Sequence, residues 1–168
     1  MERKRVEDLM LPLSEYPNLQ YDKSLRDALV VFTESKQACR EYRNIIVLNE
    51  RDEPVGIFSI KDLLKAMMPN FLFSERSPYQ GYLEEDSTLS LLWQEAFEDI
   101  SKVRLNKRLK ELTPPVNYTV SPKDPIAKAV YYMVKDNRDV ILVVESGKVI
   151  GVLRLFDVFR EMVDWVLQ

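Results

Sequence analysis

The chain has 168 residues, 46% of them hydrophobic and 30% charged, with a formal net charge of -3 at pH 7. That balance suits a folded chain with room for a core and excludes a disordered one, and the mild negative charge argues against a nucleic-acid-coating protein. With no histidine and a single cysteine, the chain has no Ser-His-Asp or Cys-His nucleophile, no histidine-ligated metal and no internal disulfide.

The opening MERKRVEDLM lacks the apolar centre of a signal peptide, and no apolar run reaches the roughly 18 residues of a membrane span. Its Arg3, Lys4 and Arg5 read either as a loose tail or as a contact for an acidic partner. Asn18-Leu19-Gln20 is long enough for one strand, and Leu25, Ala28, Leu29 and Phe32 then follow helical spacing. Cys39, without a histidine to activate it, reads as an inert thiol of a reducing, cytoplasmic setting. Ile45-Ile46-Val47-Leu48, a polar turn from Asn49 to Glu53 and the run Val55-Gly56-Ile57-Phe58 predict a hairpin. Ser59 and Asp62, three apart at the next helix start, have the spacing of a capping box.

A middle segment follows. Pro69 to Asp86 mixes aromatics such as Phe71, Phe73, Tyr79 and Tyr82 with turn formers, which predicts an ordered loop. Ser87-Thr88 offers a helix cap, and Leu89, Leu92, Trp93, Ala96, Phe97 and Ile100 predict an amphipathic helix. That helix either packs onto the rest of the chain or presents a partner surface. The acids Glu84, Glu85, Glu98 and Asp99 read as a solvated face. Arg104, Lys107, Arg108 and Lys110 form a basic cluster, either solvated or turned toward a phosphate.

The earlier pattern then returns. Thr119-Val120-Ser121 predicts a strand, and Ile126, Ala129, Val130 and Met133 predict a helix. Val140 to Val144, a turn from Glu145 to Lys148, and Val149 to Leu153 predict a second hairpin. Gly151 matches Gly56 and Asp157 matches Asp62 in register, although the chain has only four glycines. In the last helix Leu155, Val158, Phe159, Met162, Val163 and Val166 fall on one stripe, with Trp165 off it. The chain therefore divides into a first repeat (1–68), an inserted loop and helix (69–105) and a second repeat (106–168). The predicted fold is α/β (α+β), two β-α-β-β-α repeats packed as a pseudo-two-fold pair. Neither G-x-x-x-x-G-K-[ST] nor G-x-G-x-x-G occurs, so no catalytic centre is legible and the chain reads as non-enzymatic.

The β-α-β-β-α order, the TVSPKDPIAKA opening of the second copy and the G-x-x-[ST]-x-x-D signature resemble the CBS domain, which occurs in tandem pairs called Bateman modules. The resemblance spans roughly Val6 to Met68 and Leu109 to Leu167. It implies a regulatory module that binds an adenine nucleotide (AMP, ADP or ATP) between the repeats. No other cofactor is implied. The ligand's presence would be coupled to an effector protein or to a homodimer formed through the outer helices. By the same resemblance, Asp62 and Asp157 would accept the two hydroxyls of a ribose, a task suited to a carboxylate with two oxygens. Ser59 would meet ribose or phosphate. Asn18, Leu19, Thr119 and Val120 would face the base, and Ile46, Val47, Leu142 and Val143 would wall it. Ile46 and Leu142 stand where the family often has a proline, which keeps an apolar wall.

Arg154 departs further, since it replaces a small hydroxyl and cannot accept a capping hydrogen bond. Capping therefore explains Asp62 but not Asp157. Arg154 either pairs with Asp157 and closes that cleft, or reaches a phosphate through its guanidinium fork. The rival expectation is a scaffold for protein-protein contacts that binds no ligand.

Overall fold

The computed structural model describes residues 4–37, 42–68 and 104–167. β1 (Leu11–Pro12) comes before the β-α-β-β-α unit of the first repeat. The repeat itself runs β2 (Asn18–Gln20), α1 (Leu25–Gln37), β3 (Asn44–Leu48), β4 (Pro54–Ser59) and α2 (Ile60–Met67). After the one-turn α3 (Leu109–Leu112), the second repeat runs β5 (Thr119–Val120), α4 (Ile126–Lys135), β6 (Val140–Glu145), β7 (Lys148–Arg154) and α5 (Leu155–Val166). In each, the first strand is parallel to the second and the second antiparallel to the third. This is the mixed α/β architecture the sequence predicts. The expected inserted helix, the acids around it and Cys39 lie outside the described residues.

Apolar periodicity decides which way each helix faces. Leu25 and Ala28 of α1 and Ala129 and Met133 of α4 are buried, with Leu29, Phe32, Ile126 and Val130 packed beside them. The opposite faces of the two sheets meet: Ile46, Leu48 and Ile57 pack with Val140, Leu142 and Val152. With both faces covered, β3 is buried at every position and β6 at its first four. Continuous apolar runs are what doubly covered strands require.

The repeats exchange their leading segments. Val6 is fully buried in the second repeat's core, among Val120, Met133, Ile141 and Leu153. Leu109, from the start of the second copy, is fully buried in the first repeat's core with Leu25, Ile45 and Phe58. The backbone repeats this symmetry. Val6 N–H donates to Asp124 O (3.0 Å) and Glu7 N–H to Pro122 O (3.0 Å), while Leu109 N–H donates to Lys23 O (2.8 Å) and Lys110 N–H to Tyr21 O (2.8 Å). Val6 and Leu109, which fall within the expected spans 1–68 and 106–168, thus each pack in the core of the opposite repeat.

The crossing segments give the repeated glycine its physical reason. Pro12 of β1 lies opposite Gly151, and Pro115 bridges Gly56. A Cβ at Gly151 would overlap the Leu11 carbonyl oxygen, and one at Gly56 would overlap the Thr113 methyl group while lying 3.2 Å from Pro114 O. At Gly151 the backbone itself passes too close for a side chain, and at Gly56 the β-branched Thr113 side chain takes the space. The basic residues nearby also serve these crossings. Lys4 pairs with Glu161 on α5 (2.6 Å) and the Arg5 guanidinium donates to Lys123 O (3.1 Å), so both belong to an engaged arm, not a loose tail. Arg104 donates to Ala66 O (3.1 Å) and Met68 O (2.8 Å), and Arg108 donates to Asp22 O (2.5 Å), which ties the second crossing to the first repeat. Neither arginine lines a cleft described below.

Candidate ligand clefts

Each signature aspartate opens a helix that follows directly on the last strand of its repeat. At α2 the predicted capping box is complete: Ser59 Oγ accepts from Asp62 N–H (3.1 Å), and Asp62 Oδ2 accepts from Ser59 N–H (2.9 Å) and Ser59 Oγ–H (2.6 Å). The same Oδ2 also accepts from the Arg138 guanidinium of the other repeat at 3.1 Å. At α5 there is no side-chain cap. Instead Arg154 grips Asp157 with two parallel bonds, Nε to Oδ2 (2.5 Å) and Nη2 to Oδ1 (2.7 Å). That hydrogen-bonded fork raises the Arg154 pKa above its ordinary value, against a smaller opposing effect of burial.

The pairing of Arg154 with Asp157 does not close the cleft beside it. A space of about 970 Å³ opens there, lined by Arg154, Asp157 and Arg160 of the second repeat and by Tyr42, Arg43 and Asn44 at the start of β3. This lies within the roughly 300–1,000 Å³ of small-molecule sites. Glu15 and Tyr16 from the segment before β2 complete one wall, and Asp139 and Val140 another. Tyr16 and Tyr42 meet edge to face (5.0 Å), and the Tyr42 hydroxyl donates to Glu15 O (3.3 Å). Burial pushes the Tyr16 hydroxyl well above the usual tyrosine range, so it stays neutral; nearby Arg154 and the hydrogen bond with buried Asn44 oppose this only in part. Arg43 makes no ion pair among the described residues. A second space, of only about 20 Å³, is lined by Val116, Asn117, Asp136 and Arg138 and includes neither Ser59 nor Asp62.

Of the residues expected at a ligand, Arg154 and Asp157 line the open cleft, whereas Ser59 and Asp62 bond each other at the start of α2, where Arg138 meets Asp62. The expected base-facing set is not brought to the open cleft. Val47, Val120 and Val143 are buried in the helix-side cores with Leu19 packed alongside, and Ile46 and Leu142 are buried between the sheets. Asn18 and Thr119 are exposed, with Asn18 Nδ2 donating to Tyr16 O (3.2 Å). Doubly covered strands spend their central side chains on packing, so only their first residues, Asn44 and Val140, reach the cleft. The α5 stripe is also redistributed. Val158 is buried and Leu155 packs on the core, but Phe159 (57%), Met162 (50%) and Val166 (67%) are exposed, as is Phe156 (65%).

The two repeats that build these clefts correspond to a known domain. The model of the CBS domain matches residues 6–69 and 109–164. The chain belongs to the CBS-domain family. Solved CBS structures share the fold at low identity. A CBS domain-containing protein of unknown function from Bacillus anthracis str. Ames Ancestor is 19% identical (TM-score 0.67), with 97% of this chain and 95% of that chain covered. CBSX2 in complex with AMP is 22% identical (TM-score 0.63), with 95% and 96% covered. The CBS domain of a bacterial CNNM/CorC family Mg2+ transporter in complex with ATP is 22% identical (TM-score 0.64), with 96% and 89% covered. Comparison with curated proteins finds no match.

In this CBS pair, Tyr16, Tyr42, Arg43, Asn44 and Arg160 of the open cleft, and Arg138 at Asp62, are among the residues that the sequence analysis missed. The available signal was positional. Tyr42 and Arg138 each stand two residues before a strand-opening residue that pairs with a helix cap, Asn44 with Ser59 and Val140 with Arg154. Among the described residues, no group of three or more His, Cys, Asp or Glu is placed to hold a metal, and no helix is long and apolar enough to cross a membrane.

Proposed function

We propose that the chain is a non-enzymatic sensor of adenine nucleotide and that the cleft at Asp157 is its site. The observation that carries this reading is the cleft itself: about 970 Å³, with a family-signature aspartate, three arginines and an apolar floor. The ribose hydroxyls bind Asp157, the phosphates draw on Arg43, Arg154 and Arg160, and the base lies against Tyr16, Val140 and Leu155. Arg154 exchanges Asp157 for a phosphate as the ligand enters, since its fork fits either anion. The complexes of CBSX2 with AMP and of the CNNM/CorC family CBS domain with ATP support a nucleotide of this class.

Output follows from linkage: a ligand that prefers one arrangement of the cleft favours whatever partner prefers that arrangement. Phe156, Phe159 and Met162 are exposed on α5 and also rim the cleft. A cytoplasmic homodimer or effector docked on this helix face would therefore sense occupancy.

The test is thermal unfolding with saturating AMP, ADP, ATP or S-adenosylmethionine. Ligand at a hundred times its Kd adds about 2.7 kcal/mol to the native state. At roughly 2–4 °C per kcal/mol for a chain of this size, the expected shift is on the order of 5–11 °C. Asp157→Ala removes it. No shift with any of the four, in ligand-free protein, favours the scaffold reading. One observation speaks for that rival: both signature aspartates are ion-paired, Asp62 with Arg138 and Asp157 with Arg154.

A further inference from the structure

The two signature aspartates open helices of one repeated pattern yet differ in what reaches them from the opposite repeat, and the difference traces to one pair of equivalent positions. Asn44 pairs with Ser59, and Val140 with Arg154, so Tyr42 and Arg138 hold matching places two residues ahead. Tyr42 packs edge to face on Tyr16 and donates to Glu15 O, and the cleft it shares with Asp157 is open. Arg138 crosses from the second repeat to the first and places Nη1 3.1 Å from Asp62 Oδ2. Both side chains of that pair are largely buried, at 22% and 18% exposure.

The arginine is held in place by the end of α4. Asn137 is left-handed (φ 51°), Arg138 N–H donates to Met133 O (2.9 Å) and Asn137 N–H to Val134 O (3.3 Å). These are the two bonds of a Schellman motif, in which asparagine is tolerated at the left-handed position. Asp136 lies 3.9 Å from Arg138 Nε and is itself held by Asn117 Nδ2 at 2.7 Å. A guanidinium delivered by a fixed turn onto a carboxylate is a preorganised contact, not a chance surface pair.

We propose that Arg138 is an internal plug. It occupies the Asp62 cleft in place of a ligand, so the chain takes one nucleotide, at Asp157, and gains a second site at Asp62 when Arg138 is removed. The carboxylate there needs no further preparation, because its two bonds from Ser59 survive loss of the arginine. An effector that drew Arg138 away would switch the chain from one bound nucleotide to two.

This inference rests on the nucleotide reading of the Asp157 cleft, and calorimetric stoichiometry separates the two. Titrations with AMP and with ATP are run on the parent, Asp157→Ala, Arg138→Met and the double variant Arg138→Met/Asp157→Ala. Arg138→Gln is the alternative should Met disturb folding. The expected results are one nucleotide per chain for the parent, none for Asp157→Ala, two for Arg138→Met and one for the double variant. That last site disappears when Asp62→Ala is added. One nucleotide for Arg138→Met and Arg138→Gln alike, with none for the double variant, overturns the plug and leaves the sensor standing. Two nucleotides on the parent also overturn it. A silent parent with an Arg138→Met variant that binds one nucleotide through Asp62 upholds the plug and overturns the Asp157 reading. No binding by any variant overturns both.

Discussion

Gly151→Ala tests the exchange of leading segments on which the architecture depends. The new Cβ would overlap the Leu11 carbonyl oxygen, with Leu11 C at 3.3 Å and Met10 Sδ at 3.6 Å. The nearest atoms are backbone, so the clash is relieved only if β1 retreats from β7 and draws on the arm that buries Val6. Overpacking of this kind costs about 1–3 kcal/mol. At about 2–4 °C per kcal/mol, the melting temperature falls by roughly 2–12 °C. Gly147→Ala is the control. Its Cβ meets nothing within 4 Å, but its φ of +77° makes alanine strained by about 1–2 kcal/mol. Both variants lower the melting temperature, so hydrogen exchange discriminates. Gly151→Ala loses amide protection along residues 6–12 and β7, whereas Gly147→Ala loses it only at the hairpin turn. An unchanged melting temperature and unchanged protection in Gly151→Ala would refute the argument from close approach.

The complementary crossing is tested by Leu109→Ala. Its fully buried side chain sits in the first repeat's core, so about 2–5 kcal/mol is lost on urea unfolding. Exchange should rise first in α1 and β3, and a loss confined to the second repeat would contradict the packing. Arg154→Ser frees Asp157 for a diol and removes a cation from the phosphates. Adenosine should then bind more tightly while preference for ATP over adenosine drops about tenfold, the worth of one charge-assisted bond; an unaltered preference in calorimetry means that Arg154 never leaves Asp157. Acid stability follows from Asp27, whose carboxyl is held below its usual range chiefly by the Ser24 backbone N–H and then by the Ser24 hydroxyl. A depressed folded pKa stabilises above the unfolded value near about 3.9 and ceases to do so as pH falls through the folded value. Asp27→Asn should therefore melt below the parent near neutral pH, with the gap closing between about pH 5 and about pH 2. A gap independent of pH rules this out.

Features that depend on neighbours along the chain were legible in the residues. Helical spacing put Leu25, Ala28, Ala129 and Met133 inward, and the three-residue interval from Ser59 to Asp62 made a capping box. The reappearance of Gly56 and Asp62 as Gly151 and Asp157 announced two copies of one unit. Those patterns sufficed for the α/β class, the repeat and the family, because turns, caps and apolar faces are set within a few residues.

Contacts between the copies were settled only by tertiary structure. Val6 and Leu109 are apolar residues that either repeat could bury, and only the crossing of the arms sends each to the other's core. In β3 and β6 both faces are apolar, so alternation could not say which side chains meet a ligand and which meet a sheet. The strand centres were taken by packing, and the strand openings were left to form the cleft. Arg138 illustrates the same limit most sharply. It is one charged residue after a helix, and its meeting with Asp62 depends on how two sheets are placed against each other, a long-range property that no local spacing encodes.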